Sequence, residues 1–169
     1  MRIGYSVVIL AFMLLTGFSA ARASDFDLQV VQNFSLEQQI GQLRAVPVQI
    51  SSDQPGLLFI YSADKDIDPF IEMFYLPTDR LKFALYDLEG QLIWKKTLGA
   101  GVLNGVWFTP VFPFDLDGDG SDEIYFVNNT DSVHILSYNH LRLTALNSRD
   151  GESLGEWPWK RVVHGTNSH

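Results

Sequence analysis

Cysteine is absent from the 169 residues. That omission removes disulfide scaffolds, zinc–thiolate centres, thiol catalysis and lipid attachment through an N-terminal Cys. Charge is also scarce, at 19% of residues, and its balance is acidic: net −8, with a pI near 4.8. Nucleic acid and anionic membrane surfaces are therefore poor partners, because both repel a protein of their own sign. No segment sustains a helical period for long. What remains is apolar and aromatic, 46% hydrophobic with 12 Phe, 6 Tyr and 4 Trp. That is a folding composition and not a disordered one.

Met1 to Ala23 reads as a secretory signal. Arg2 supplies the positive start, and Val7 to Leu15 is an apolar run of nine. Ala21-Arg22-Ala23 then offers small residues where a signal peptidase tests them. The competing reading is a membrane anchor, but nine residues fall well short of the ~20 that span a bilayer. Cleavage after Ala23 leaves 146 residues and removes two positive charges and no negative one, so −8 becomes −10. The mature protein is expected to be secreted or periplasmic, without a stable membrane anchor.

The rest reads as all-β. Strands are expected near Arg44–Ile50, Leu57–Ser62, Leu81–Asp87, Gln91–Thr97, Val106–Phe114, Glu123–Asn128, Arg142–Asn147 and Ser153–Trp157, with an extra one around Val133–Tyr138. Turn residues such as Asp53-Gln54-Pro55-Gly56, Glu89-Gly90 and Arg149-Asp150-Gly151 separate them. Ser35 to Leu43 is the best helical candidate, although Gly41 would suit an irregular strand as well.

The chain also matches itself. Ala84-Leu85 and Glu89-Gly90-Gln91 return 61 residues later as Ala145-Leu146 and Asp150-Gly151-Glu152. At an offset of 66, Pro47-Val48 answers Pro113-Phe114, Asp53 answers Asp119, and Leu58-Phe59-Ile60 answers Ile124-Tyr125-Phe126. Two hairpins followed by the same pair is how a β-propeller of four-stranded antiparallel blades is written. The alternative is one eight-stranded sandwich. The blades would be 44–97 and 106–157, with 158–169 starting the next element. Propellers close with ~4–8 blades, so two imply a truncated propeller whose remaining blades lie outside this chain. A small self-contained domain is the other option.

Asp115-Leu116-Asp117-Gly118-Asp119-Gly120-Ser121-Asp122-Glu123 carries the clearest chemistry. Carboxylates Asp115, Asp117 and Asp119 stand at loop positions one, three and five, and Gly120 permits the sharp turn at six. The Ser121 carbonyl can serve at seven, and Glu123 closes the site at nine. Hard oxygen ligands in this number suit Ca²⁺. An EF-hand would need a ligand at position twelve and flanking helices, but Phe126 stands there inside a β run. The expected site is a strand–loop–strand brace. The matching loop of the first repeat keeps only Asp53, with Gln49, Ser51 and Leu57 at the other ligand positions, and should hold no metal.

The segment Asp115 to Val127 resembles the calcium loops of integrin-type FG-GAP propeller repeats. Arg80 to Lys160 resembles secreted bacterial β-propeller proteins of the rhamnogalacturonan and ulvan polysaccharide lyases. It does so through Ala84-Leu85-Tyr86-Asp87-Leu88-Glu89-Gly90-Gln91-Leu92-Ile93-Trp94-Lys95-Lys96, Trp107-Phe108-Thr109-Pro110, and the calcium loop running into Asn128-Asn129. The resemblance implies an acidic polysaccharide as partner and β-elimination beside a uronic acid. That reaction needs a base, an acid and a counter-charge for the sugar carboxylate. His169 and then His164, in the region that the resemblance places near the substrate groove, are the candidate base and acid. Arg161 and Arg142 are candidate carboxylate clamps, and Trp159 a sugar platform. His134 and His140 read as surface residues, Trp94 and Trp157 as packing residues, and Trp107 as part of an inner strand. A non-catalytic FG-GAP-like module binding glycan or protein is the alternative function. Edman sequencing of the secreted protein is expected to begin at Ser24, and retention of Met1 would refute export by cleavage.

Overall fold

Strand order follows chain order in each of two four-stranded antiparallel sheets. The computed structural model describes residues 29–66, 76–133 and 140–159, and residues 32–169 form one unit. The first sheet holds β1 (Gln42–Ser51), β2 (Gln54–Ser62), β3 (Lys82–Asp87) and β4 (Leu92–Thr97). The second holds β5 (Val111–Phe114), β6 (Glu123–Asn129), β7 (Leu141–Asn147) and β8 (Ser153–Pro158). The expected signal segment, the extra strand after Val133, and the candidates His134, Arg161, His164 and His169 lie outside the described residues.

Two expectations are corrected. No helix forms over Ser35 to Leu43. Instead the Tyr86 hydroxyl donates to the Ser35 carbonyl at 2.7 Å, the acceptor that a first helical turn would need for its own N–H. Gly41 N–H donates to Ser62 O at 2.9 Å and opens the β1 ladder. The strand expected from Val106 starts only at Val111. Before it, the Phe108 and Thr109 N–H groups both turn back to Gly105 O, and Thr109 Oγ1 donates to Leu103 O at 2.8 Å. Trp107 rides this turn with 64% of its surface exposed, so it does not lie in an inner strand.

The hydrogen-bond ladders show which residues of the two sheets are equivalent. Val48 faces Gly56 as Phe114 faces Glu123, and Gly56 faces Asp87 as Glu123 faces Asn147. Asp87 and Asn147 each open a turn, donating to Gln91 O and Glu152 O respectively, and a bulge precedes each of them. The match of Pro47-Val48 to Pro113-Phe114 therefore holds. The structure equates Leu58 with Tyr125 and Leu85 with Ala145, each one residue away from the match in the sequence.

A slip of one residue exchanges the faces of a strand, and here it fixes the stacking. Leu58, Ile60, Phe83 and Leu85 of the first sheet pack against Ile124, Phe126 and Leu146 of the second. The Phe83 and Phe126 rings meet edge-on, 5.1 Å between centroids. The equivalents of Ile124, Phe126 and Leu146 are Leu57, Phe59 and Tyr86, on the opposite face of the first sheet. The two sheets are thus stacked in the same sense, front of one on back of the next. The back of the first sheet is covered by the preceding segment. Phe34 sits 5.0 Å from Phe59 and 5.6 Å from Tyr86, and Leu36 is buried beside them. The front of the second sheet carries Phe112, Phe114 and Trp157, 45%, 57% and 49% exposed.

At one end of the stack the β2–β3 connection is closed by two carboxylates. Asp64 accepts from the N–H groups of Thr78 and Asp79 at 2.6 and 2.7 Å and from Thr78 Oγ1 at 2.9 Å. Asp79 accepts from Ala63 N–H at 2.7 Å and from Lys82 Nζ at 2.6 Å. Partial burial pushes both acids up, but these donors outweigh it and hold both below the usual carboxylate value. Their stabilisation is present above the unfolded pKa of about 4 and disappears as pH falls through the lower folded value. Asp64→Asn is therefore expected to lower Tm by about 3 °C at pH 7. In melts repeated below about pH 3 the gap from wild type should close; a gap independent of pH would refute this role for Asp64.

Candidate metal centre

The loop between β5 and β6 folds around its first carboxylate. Asp115 Oδ1 accepts from Gly118 N–H at 2.7 Å and Asp119 N–H at 3.1 Å, while Oδ2 accepts from Gly120 N–H at 2.9 Å. That winding requires φ of +79° at Gly118 and +85° at Gly120, which glycine adopts without steric cost. Asp117 Oδ1 accepts from Asp119 N–H at 3.1 Å. Glu123 Oε2 reaches back to Leu116 N–H at 2.9 Å.

One oxygen each of Asp115, Asp117 and Glu123 lies within 4.8 Å of the other two. Three carboxylates so close repel one another unless a cation sits among them, and an all-oxygen donor set of hard ligands fits Ca²⁺. The group could hold a metal ion. Its negative field also reaches the neighbouring phenol. Tyr125 donates to Glu123 Oε2 at 3.3 Å, and its pKa is raised, first by burial and then by the charges of Glu123 and Asp117.

Of the other expected ligands, the Asp119 carboxylate is not among the three clustered oxygens. Asp119 takes Ser121 N–H on Oδ1 at 2.8 Å and pairs through Oδ2 with Arg149 Nη2 at 3.1 Å. Ser121 is buried, and its hydroxyl donates to Ile50 O of β1 at 2.5 Å. The matching turn of the first sheet is closed by its own side chains, with Ser51 Oγ donating to Asp53 Oδ1 at 2.9 Å.

Asp122 holds no ligand position in the loop, yet it joins the sheets. Its N–H donates to Gln49 O at 2.8 Å, and its Oδ2 accepts from Gln49 N–H at 2.7 Å. Beside it, Ser148 Oγ donates to Gln49 O at 3.3 Å, and Trp94 Nε1 donates to Ser148 O at 2.7 Å. Trp94 also lies against Gly151, where a Cβ would sit 2.8 Å from the ring. Trp94 is thus a packing residue between sheets, whereas Trp157 is half-exposed.

The candidate sugar-binding residues are elsewhere. Arg142 stands opposite Pro158 at the start of β7, and Trp159 N–H donates to Leu141 O at 3.1 Å. Glu123 faces Asn147 at the other end of that strand. The metal loop and the Arg142–Trp159 pair are therefore separated by the length of a seven-residue strand, about 20 Å. His140 is exposed in the β6–β7 connection, its carbonyl accepting from Thr130 N–H at 3.2 Å.

Neither a family model nor a curated protein matches the chain. Solved structures do. Rhamnogalacturonan lyase PL11 of Bacillus licheniformis superposes with a TM-score of 0.61 at 16% identity, over 76% of this chain and 26% of that one. The exotype rhamnogalacturonan lyase YesX gives 0.57 at 20% identity over 69% and 22%, and rhamnogalacturonan lyase YesW gives 0.57 at 19% over 69% and 23%. The chain has the fold of part of these lyases and spans about a quarter of their length.

The Asp122–Gln49 pair is a charge-assisted bond across the junction. Asp122→Ala is expected to destabilise the protein by about 2 kcal/mol in urea melts, whereas Asp122→Asn should lose clearly less. Wild-type stability in Asp122→Ala would show that the junction does not depend on the pair.

Proposed function

We propose that this chain is part of an exported, calcium-braced β-propeller of the rhamnogalacturonan-lyase type, acting by β-elimination on a uronic-acid-containing polysaccharide. The observation that carries the reading is the same-sense stacking of the sheets. A sandwich opposes two sheets once and is finished. Same-sense stacking can continue, and it leaves Phe112, Phe114 and Trp157 on the face that corresponds to the covered front of the first sheet. The likeness to lyases about three times as long supports further sheets beyond this pair.

In this reading Asp115, Asp117 and Glu123 hold Ca²⁺, joined by Asp119 and the Ser121 carbonyl, with FG-GAP-like spacing. The ion neutralises the loop and braces the hairpin. Cleavage after Ala23 delivers the protein outside the cytoplasm. His169 and His164 serve as base and acid, Arg161 and Arg142 clamp the uronate, and Trp159 stacks on the sugar. The separation of Arg142 and Trp159 from the metal loop supports a purely structural ion.

Residues 24–169 alone are expected to associate in size-exclusion chromatography, melt at low temperature and leave polysaccharide intact, because exposed apolar area drives association and a neighbouring sheet is missing. Adding the remaining sheets of the B. licheniformis lyase should restore a monomer and produce unsaturated uronate absorbance on rhamnogalacturonan. A cooperative monomer of 24–169 would sink the propeller reading. A completed monomer that binds but never cleaves rhamnogalacturonan or ulvan would favour the non-catalytic module.

A further inference from the structure

We infer that Arg149 competes with the cation for Asp119 and so sets the affinity of the loop. This rests on the calcium reading above and deepens it. Asp119 holds position five of the loop, where the spacing supplies a ligand, yet the three clustered oxygens come from Asp115, Asp117 and Glu123 alone. The Asp119 Oδ2 atom is instead engaged by Arg149 Nη2 at 3.1 Å.

Arg149 is presented by an anchored turn. Its N–H donates to Asn147 Oδ1 at 2.8 Å, Gly151 N–H donates to Asn147 O at 2.8 Å, and Lys96 Nζ donates to Gly151 O at 2.9 Å. The guanidinium therefore stands at the edge of the acidic loop and supplies a positive charge there. Both partners are about half exposed, 50% for Arg149 and 44% for Asp119. A solvent-exposed ion pair of this kind is weak, so a divalent cation can displace it. Asp119 then leaves Arg149 and turns to the ion, and the energy of that exchange is subtracted from the binding of the metal.

The test is calorimetric titration of calcium chloride into the chelator-stripped full chain, with a double-mutant cycle. Arg149→Gln is expected to tighten Ca²⁺ about threefold to tenfold, and Asp119→Asn to weaken it. In the Asp119→Asn background, Arg149→Gln should change affinity less than about twofold. Equal tightening in both backgrounds would reduce Arg149 to a distant charge and overturn the inference, as would unchanged or weaker binding in Arg149→Gln. No calcium binding by any of the four proteins would overturn the calcium reading itself, and this inference with it. The wild-type protein gives a second readout by NMR. The Arg149 Nε–Hε resonance should shift as calcium is added and saturate with the calorimetric Kd, and a resonance that stays in place would count against displacement.

Discussion

The junction between the two sheets governs everything else in this protein. Neither sheet has enough apolar surface of its own to be stable, and each strand of four to ten residues is ordinary in length. What gives them one arrangement is that Leu58, Ile60, Phe83 and Leu85 must be covered, and that Ile124, Phe126 and Leu146 cover them. Each fully buried large side chain of this kind contributes about 1.5–3 kcal/mol. The polar bonds at the rim contribute less but set the alignment. Asp122 and Gln49 exchange two hydrogen bonds, and Ser121 and Ser148 add one each to β1 carbonyls. Apolar area drives the contact, and these directional bonds choose the register within it.

The same junction explains the unequal covering of the two outer faces. Phe34 and Leu36 occupy, on the back of the first sheet, the position that the first sheet occupies on the back of the second. An aromatic cluster of Phe34, Phe59 and Tyr86 replaces sheet-on-sheet contact there. Such a segment covers apolar surface without presenting a new strand edge. The front of the second sheet carries no comparable cover over Phe112, Phe114 and Trp157 among the described residues.

Much of the architecture was legible because strands announce themselves locally. β-branched and aromatic runs bounded by Gly, Asp and Pro placed all eight strands, and the Asp-Gly loop between β5 and β6 was visible from spacing alone. Three features were not legible, each for a physical reason. Residue identity matches Ala84-Leu85 with Ala145-Leu146, whereas the ladders of the two sheets make Leu85 equivalent to Ala145. A single extra residue in each hairpin of the second sheet shifts the faces without changing composition, so only hydrogen bonds reveal it. The turn at Gly105 is hidden because Val106, Trp107 and Phe108 have strong strand preferences, which the local turn bonds to Gly105 O and the Thr109 hydroxyl bond to Leu103 O override. Asp122 read as one more acid in an acidic loop, since its partner Gln49 is 73 residues away.

The two ends of the stack differ in how far their polar groups are matched. At the end with the metal loop, short turns satisfy their own polar groups, and every carboxylate of the Asp115–Glu123 segment has a hydrogen-bond donor. At the other end, four buried polar atoms have no hydrogen-bond partner among the described residues: Gln42 Nε2, Arg44 Nε, Tyr61 Oη and Asn104 Oδ1. Arg44 reaches Thr109 O at 3.2 Å, and its pKa is lowered by burial against the opposing pull of Asp66. Asn104, fully buried, donates to Ser62 Oγ at 3.0 Å with its other polar atom unmatched. An unmatched buried group costs about 1–3 kcal/mol, and the carboxylates Asp64 and Asp79, with their sets of donors, close the polar groups beside it. Arg142 and Trp159 stand at this same end of the stack. The metal loop, with its polar groups matched and tied to the junction, is placed to hold the sheets together.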